Sequence, residues 1–359
     1  MTHQWHRAVF DRLLAGRERQ HHALLLSGPA GIGKAALAME LARARLCERP
    51  AADGSACGRC DACGWFDAGN HPDFRLLTPG GDERAGAEEA EAGPPAAPQS
   101  TRGGKAGKPS REIRIEQVRA LDTFLEVGAH RGGERVIVVE PADAMNTVVA
   151  NALLKRLEEP PPGMGFILVA NRLAALPATI RSRCQKISLP LPPADAAIAW
   201  LVAECGVPPA QAAFWLAAAG GAPLLARRLA TDGDAAAYRR IVDAFAAMPE
   251  AGIVATADAL NGVEPPDWAG AAQTWAADLA RVSAGAMPKR HADRLDRLRR
   301  IAAGTTLDRI ATLERRLRAL PREATHPLNP RLLLEDVLLD YRRALAGSPG
   351  GRTRSAEPR

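Results

Sequence analysis

The 359-residue chain has no run of 18 or more apolar residues, although 47% of it is apolar. No membrane-spanning helix is therefore expected. Residues 1–20 carry charges throughout and lack the apolar stretch of a secretory signal, so a cytoplasmic chain is expected. Lysine is scarce, 6 residues against 41 arginines, which fits codon bias and carries no functional meaning. A large excess of one charge is missing too. The 47 basic and 41 acidic residues leave a net charge of +6, too little at this length to imply DNA affinity by itself. The apolar content is ample for packed cores and excludes disorder of the whole chain. At about 150 residues per domain, the length allows two or three domains.

The apolar segments alternate with helical patterns over the first half. Trp5, Val9, Leu13 and Leu14 recur at helical spacing, and residues 23–26 form a short, unbroken apolar run. Similar short runs follow at 74–77, 136–139 and 166–170. Runs that are continuous rather than alternating suit strands buried on both faces of a parallel sheet. Helices are expected at 35–46, after Ile113 with Val118, Leu121 and Leu125, and at 144–158, where Pro160, Pro161 and Pro162 stop the last. Strands separated by helices mean an α/β fold. Residues 79–111 are rich in Gly, Ala, Pro and Glu with almost no large apolar side chain, and read as a disordered insertion. Beyond the prolines at 190, 192 and 193 the pattern is helical, with breaks at Gly220-Gly221, at 231–234 and at Pro265-Pro266. Residues 347–359 form a polar tail.

Gly28, Gly31, Gly33 and Lys34 fit the G-x4-G-K part of a phosphate-binding loop, placed between a predicted strand and a predicted helix. Backbone amides in such a loop point at phosphate oxygens, and the lysine adds positive charge. Given 32 Gly and 6 Lys, chance would produce only about 0.05 such matches in the chain. Position 35, however, is Ala, and a methyl group cannot replace the Ser or Thr hydroxyl that binds magnesium. After residues 136–139 comes Glu140-Pro141, where a working ATPase shows Asp-Glu. Pro141 offers no base to polarise an attacking water. The frame of an ATPase is present without two parts of its hydrolytic machinery.

Cysteine is sparse but clustered. Of six, Cys47, Cys57, Cys60 and Cys63 fall within 17 residues, enough thiolates for a closed tetrahedral zinc site of structural type. The flanking Gly58, Arg59, Asp61 and Gly64 are too polar for a core. His71 competes as a ligand, although residues 70–73 read more naturally as a turn. Cys184 and Cys205 read as small packed residues. Farther on, Pro177 opens a short helix carrying Arg181 and Arg183. Being two residues apart, about 200° round a helix, they cannot face the same way. On these residues alone, both read as surface charges.

Taken in order, the segment from His22 through Lys34, the four cysteines, the stretch from Asn151 to Pro161 and Ser182-Arg183-Cys184 resemble the bacterial clamp-loader AAA+ subunits. The resemblance covers most of residues 1–230 with specific motifs, and the remainder by length and class. It implies α/β plus all-α architecture: a RecA-like AAA+ P-loop domain with a zinc module over 1–190, a small helical lid over 191–233 and a helical collar that oligomerises over 234–346. It further implies a non-catalytic member of a loader that opens a sliding clamp and closes it round primed DNA, with gamma/tau and delta subunits as partners. On that resemblance Arg183 becomes an arginine finger for a neighbour's ATP site. Leu224 falls where an ATPase lid would carry its sensor arginine, and Asn171 takes the position of a sensor that could still meet a phosphate. With Gly28, Gly31, Gly33 and Lys34 retained, weak nucleotide binding without turnover is compatible with the loop. Two other readings remain open: a working gamma/tau-type ATPase, and a zinc-dependent nucleic-acid-binding regulator.

Overall fold

In a computed structural model of the chain, residues 2–17, 21–80, 112–126, 133–231, 234–323 and 329–346 are described. The expected insertion, from residue 81 on, and the expected tail at 347–359 lie outside them. The chain divides into two compact units, 1–193 and 194–359.

The first unit is built on five parallel strands, β1 (Ala23–Ser27), β2 (Phe74–Leu77), β3 (Arg135–Val139), β4 (Met164–Ala170) and β5 (Gln185–Ser188), in the order β2-β3-β4-β1-β5. Every residue of β1, β3 and β4 is buried, as their unbroken apolar runs require of strands covered on both faces. The fifth strand was not expected. In β5 only Ile187 is buried, and one apolar residue at a sheet edge leaves no run to read. Helices α1 (Arg7–Ala15), α2 (Lys34–Leu46), α3 (Asp61–Asp67), α4 (Ile115–Arg119), α5 (Leu121–Glu126), α6 (Thr147–Glu158) and α7 (Ala178–Ser182) fill the connections. Trp5 lies not in α1 but in a 3-10 turn before it, and Phe10, Leu13 and Leu14 make the buried stripe. Helix α6 begins three residues later than expected, because Asn146 caps it by accepting from the Val149 amide at 3.0 Å. Sheet and helices together form the RecA-like P-loop arrangement of AAA+ proteins.

The second unit is all helical: α8 (Ala194–Cys205), α9 (Pro209–Ala218), α10 (Pro223–Thr231), α11 (Asp234–Ala259), α12 (Pro265–Ser283), α13 (Leu295–Ala303), α14 (Leu307–Glu323) and α15 (Pro330–Leu345). Pro265 breaks the chain by starting α12 at its first turn, where a missing N–H costs nothing. Helices α8 to α10 close over Leu201, Trp215 and Ala226. Helices α11 to α15 bury a larger core with Trp268, Trp275, Leu298 and Tyr341.

Candidate functional site

The phosphate loop connects β1 to α2, at the carboxyl ends of the parallel strands where ligands of such sheets bind. Its glycines are required by space and by backbone. A Cβ on Gly28 would stand 2.2 Å from the Leu189 carbonyl oxygen. Gly31 and Gly33 hold φ of 77° and 92°, values that L side chains rarely adopt. Lys34, only 3% exposed, begins α2. Its ammonium donates to the Pro29 carbonyl at 2.6 Å and to Asn171 Oδ1 at 2.8 Å. Burial pushes this group down to about 8, against the pull of Asp143 and Glu140.

Asn171 follows β4 and is itself held, its amide donating to Asp143 at 2.9 Å. Asp143 also accepts from the Arg172 guanidinium at 3.5 Å. Burial raises the Glu140 carboxyl above its ordinary range, although Lys34 acts in the opposite direction. The peptide from Glu140 to Pro141 is cis. The loop thus gathers a lysine, two nearby carboxylates and an amide. It has neither a hydroxyl at 35 nor a carboxylate at 141.

A feature absent from the sequence reading closes over this loop. The indole N–H of Trp5 and the ring Nε2 of His6 both donate to the Ile32 carbonyl, at 2.9 and 2.8 Å. The His3 ring stacks on Trp5 with centroids 4.7 Å apart, and it leaves only 2.3 Å for any Cβ at Gly33. Burial lowers the basicity of His6, consistent with a neutral ring donating from Nε2. Asp143 was missed as well. Single His, Trp and Asp residues far from the motif in sequence give no local signal.

Four cysteine sulfurs lie within 4.8 Å of one another. Cys47 ends α2 and Cys60 caps α3, so two helix termini converge on the cluster. Gly58, at φ 70°, makes the turn between them. Amides from the loop already point at sulfur: Cys57 N–H to Cys47 at 3.3 Å and Cys63 N–H to Cys60 at 3.5 Å. Backbone amides, that of Arg59 first, hold the Cys57 thiol low, whereas burial pushes the Cys63 thiol up. Four thiolates this close repel unless a cation joins them, and a four-sulfur set suits zinc with no position left for water. A bidentate pair from Arg43 to Asp67, at 2.9 and 2.7 Å, ties α2 to α3 beside it. His71, the competing ligand, does not join this group. It is a turn residue whose Nδ1 accepts from the Asp73 amide at 3.0 Å. Cys184 packs in the core beneath the sheet, and burial pushes its thiol up to about 11, so it is inert.

Arg183 lies just beyond α7, as its C-cap. Its guanidinium donates to the Thr179 carbonyl at 3.1 Å and to Ser182 Oγ at 3.3 Å, and pairs with Glu158 at 2.5 Å. The side chain stays 37% exposed. Arg181 points elsewhere, with its Nε buried and unpartnered.

Residues 8–193 match the profile of the family described as DNA polymerase III, delta subunit. A DNA polymerase III subunit delta' from Pseudomonas aeruginosa is 40% identical over 270 residues, 74% of each chain. The chain belongs to the DNA polymerase III delta-prime family. A delta-prime relative from Escherichia coli is 34% identical over 202 residues, which span 56% of this chain and about half, 52%, of that one. A solved gamma-subunit-related protein of Thermotoga maritima aligns at TM-score 0.42 and 15% identity, covering 93% of this chain and 99% of its own. The family match of this delta-prime chain covers the sheet unit with its loop, cysteine cluster and Arg183. Among its described residues, no helix is long and apolar enough to cross a membrane.

Proposed function

We propose that this chain is the non-catalytic, delta-prime-type component of a cytoplasmic DNA polymerase III clamp loader. It supports ATP-driven loading of the sliding clamp onto primed DNA and supplies Arg183 in trans to a neighbouring gamma/tau ATP site. The observation that carries the reading is the phosphate loop. Its lysine is bonded to Pro29 and Asn171 of its own chain, and Ala35 and Pro141 stand where hydrolysis needs a hydroxyl and a base. The loop then serves as scaffold, with weak or no nucleotide. Residues 191–233 act as the lid and 234–346 as the collar through which the chain joins gamma/tau and delta. Cys47, Cys57, Cys60 and Cys63 hold a structural zinc.

Arg183 fits its role because it is half-exposed, follows the last helix of the sheet unit and keeps donors unspent. The test is steady-state ATP hydrolysis by the reconstituted loader with clamp and primed DNA. Arginine fingers contribute on the order of 10³-fold or more to turnover at the site they serve. With several sites in the assembly, Arg183→Ala should cause a severe but partial loss while assembly stays intact. Unchanged hydrolysis would refute the role. Turnover by the isolated chain that disappears in Lys34→Ala would refute the non-catalytic reading and favour a working ATPase.

A further inference from the structure

Five N–H bonds radiate from the Arg183 guanidinium, and three acceptors of the same chain surround it: the Thr179 carbonyl, Ser182 Oγ and the Glu158 carboxylate. The first two share Nη1, and Glu158 takes Nη2. Nε has no partner among the described residues. The contacts to α7 and α6 therefore engage both terminal nitrogens and leave the Nε–H, a donor suited to a phosphate oxygen, without a partner among the described residues.

Glu158 is an unlikely residue to find at its position on grounds of helix stability. It is the last residue of α6, where the negative end of the helix dipole disfavours a carboxylate. Pro160, Pro161 and Pro162 follow at once, so the chain cannot extend α6 and Glu158 stays at its tip. Arg183 offsets the unfavourable charge. Both partners are also open to solvent, 37% and 46% exposed, so their pairing adds little to global stability. Holding a long arginine in one rotamer is a different matter. A flexible guanidinium would lose side-chain entropy on meeting a phosphate, whereas one fixed at two points has lost it already.

We infer that Glu158 is a positioning residue for Arg183, fixing the guanidinium so that its unpaired Nε–H side is presented to a phosphate held by another subunit. The inference rests on the trans role of Arg183 proposed above. It predicts an effect on turnover that disappears when Arg183 is absent.

The test uses the full chain in the reconstituted loader, with clamp and primed DNA, and follows ATP hydrolysis in wild type, Glu158→Ala, Glu158→Gln, Arg183→Ala and the Glu158→Ala/Arg183→Ala double variant. Glu158→Ala should lower the Arg183-dependent part of kcat by about threefold, as loss of one charge-assisted bond to a mobile side chain implies, with KM for ATP unchanged. Glu158→Gln, which keeps an oxygen that accepts from Nη2, should restore most of that loss. In the Arg183→Ala background, Glu158→Ala should have no further effect. If Arg183→Ala itself changes nothing, the trans role fails and this inference with it. If Arg183→Ala is defective while Glu158→Ala matches wild type, only the positioning role fails. An equal loss from Glu158→Ala with and without Arg183 would also overturn it, as would a clear drop in the melting temperature of the free Glu158→Gln chain.

Discussion

Asp278, in the middle of α12, shows how much one buried charge can organise. Its carboxylate accepts the backbone N–H groups of Lys289, Arg290 and His291 at 2.8 to 2.9 Å, and the His291 ring at 3.0 Å. The ring in turn meets the Tyr238 hydroxyl at 3.0 Å. These bonds outweigh the burial that opposes ionisation and hold the carboxyl at about 2. An unfolded aspartate titrates near 3.9, so the folded form favours the ionised group, and the benefit is complete above pH of about 4. It is lost as pH falls through that value toward 2. The difference corresponds to about 2 kcal/mol of stability. Asp278→Asn keeps one acceptor oxygen for four donors and should lose a similar amount at neutral pH, about 2 kcal/mol. Urea unfolding followed by the buried Trp268 and Trp275 reads this directly. Equal midpoints for variant and wild type at pH 7 would show that the four bonds contribute nothing. Arg290, in the same segment, approaches Gly220 so closely that a Cβ there would stand 2.4 Å from its guanidinium. Asp278 thereby also fixes how the segment after α12 meets the turn between α9 and α10.

At the scale of elements, the cysteine module differs from a core in what stabilises it. The residues between Cys47 and α3 include few apolar side chains, and the packed cluster there consists of the cysteines with Ala56 and Ala62. So small a cluster has little hydrophobic surface to bury, and a bound zinc would be the larger source of stability. Metal analysis of the purified chain should find about one zinc per chain, lost when Cys57 and Cys60 are replaced by Ser. Chelation should loosen residues 47–63 first, seen as faster amide exchange there than in β1. A wild-type chain that is metal-free, yet equally protected in this segment, would overturn the zinc site. The gathering of the four cysteines was legible in the sequence because their short spacings keep them within reach of one another. The buried strands were legible because two covered faces demand unbroken apolar runs. The N-terminal closure of the phosphate loop was not, since Trp5 and His6 act through single bonds to a carbonyl 27 and 26 residues away. Such contacts leave no period and no motif.

For the whole molecule, an α/β part followed by a helical part could be read from spacing, but the strand order β2-β3-β4-β1-β5 could not. Neighbours in a parallel sheet are chosen by crossover connections, and apolar runs of similar length do not say which of them pair. Charge posed the same difficulty, because a net value hides its distribution. Arg7, Arg17, Arg43, Arg172, Arg227, Arg294, Arg297, Arg316 and Arg331 each lie against a carboxylate. Cations paired in this way have fewer counterions to release from a phosphate backbone. Affinity for DNA by counterion release scales with the number of phosphates neutralised, and a dedicated binder making 6–10 contacts shows a steep slope of about −0.9 per contact in log K against log salt. The free chain should therefore bind primed DNA weakly, with a slope of magnitude below about 2. Fluorescence anisotropy from 50 to 200 mM salt measures it, with the reconstituted loader as comparison. A steep slope and tight binding by the free chain, lost on chelating zinc, would point instead to an independent nucleic-acid-binding protein. Weak binding by the chain and tight binding by the assembly would place DNA recognition in the complex, as the proposed loader role requires.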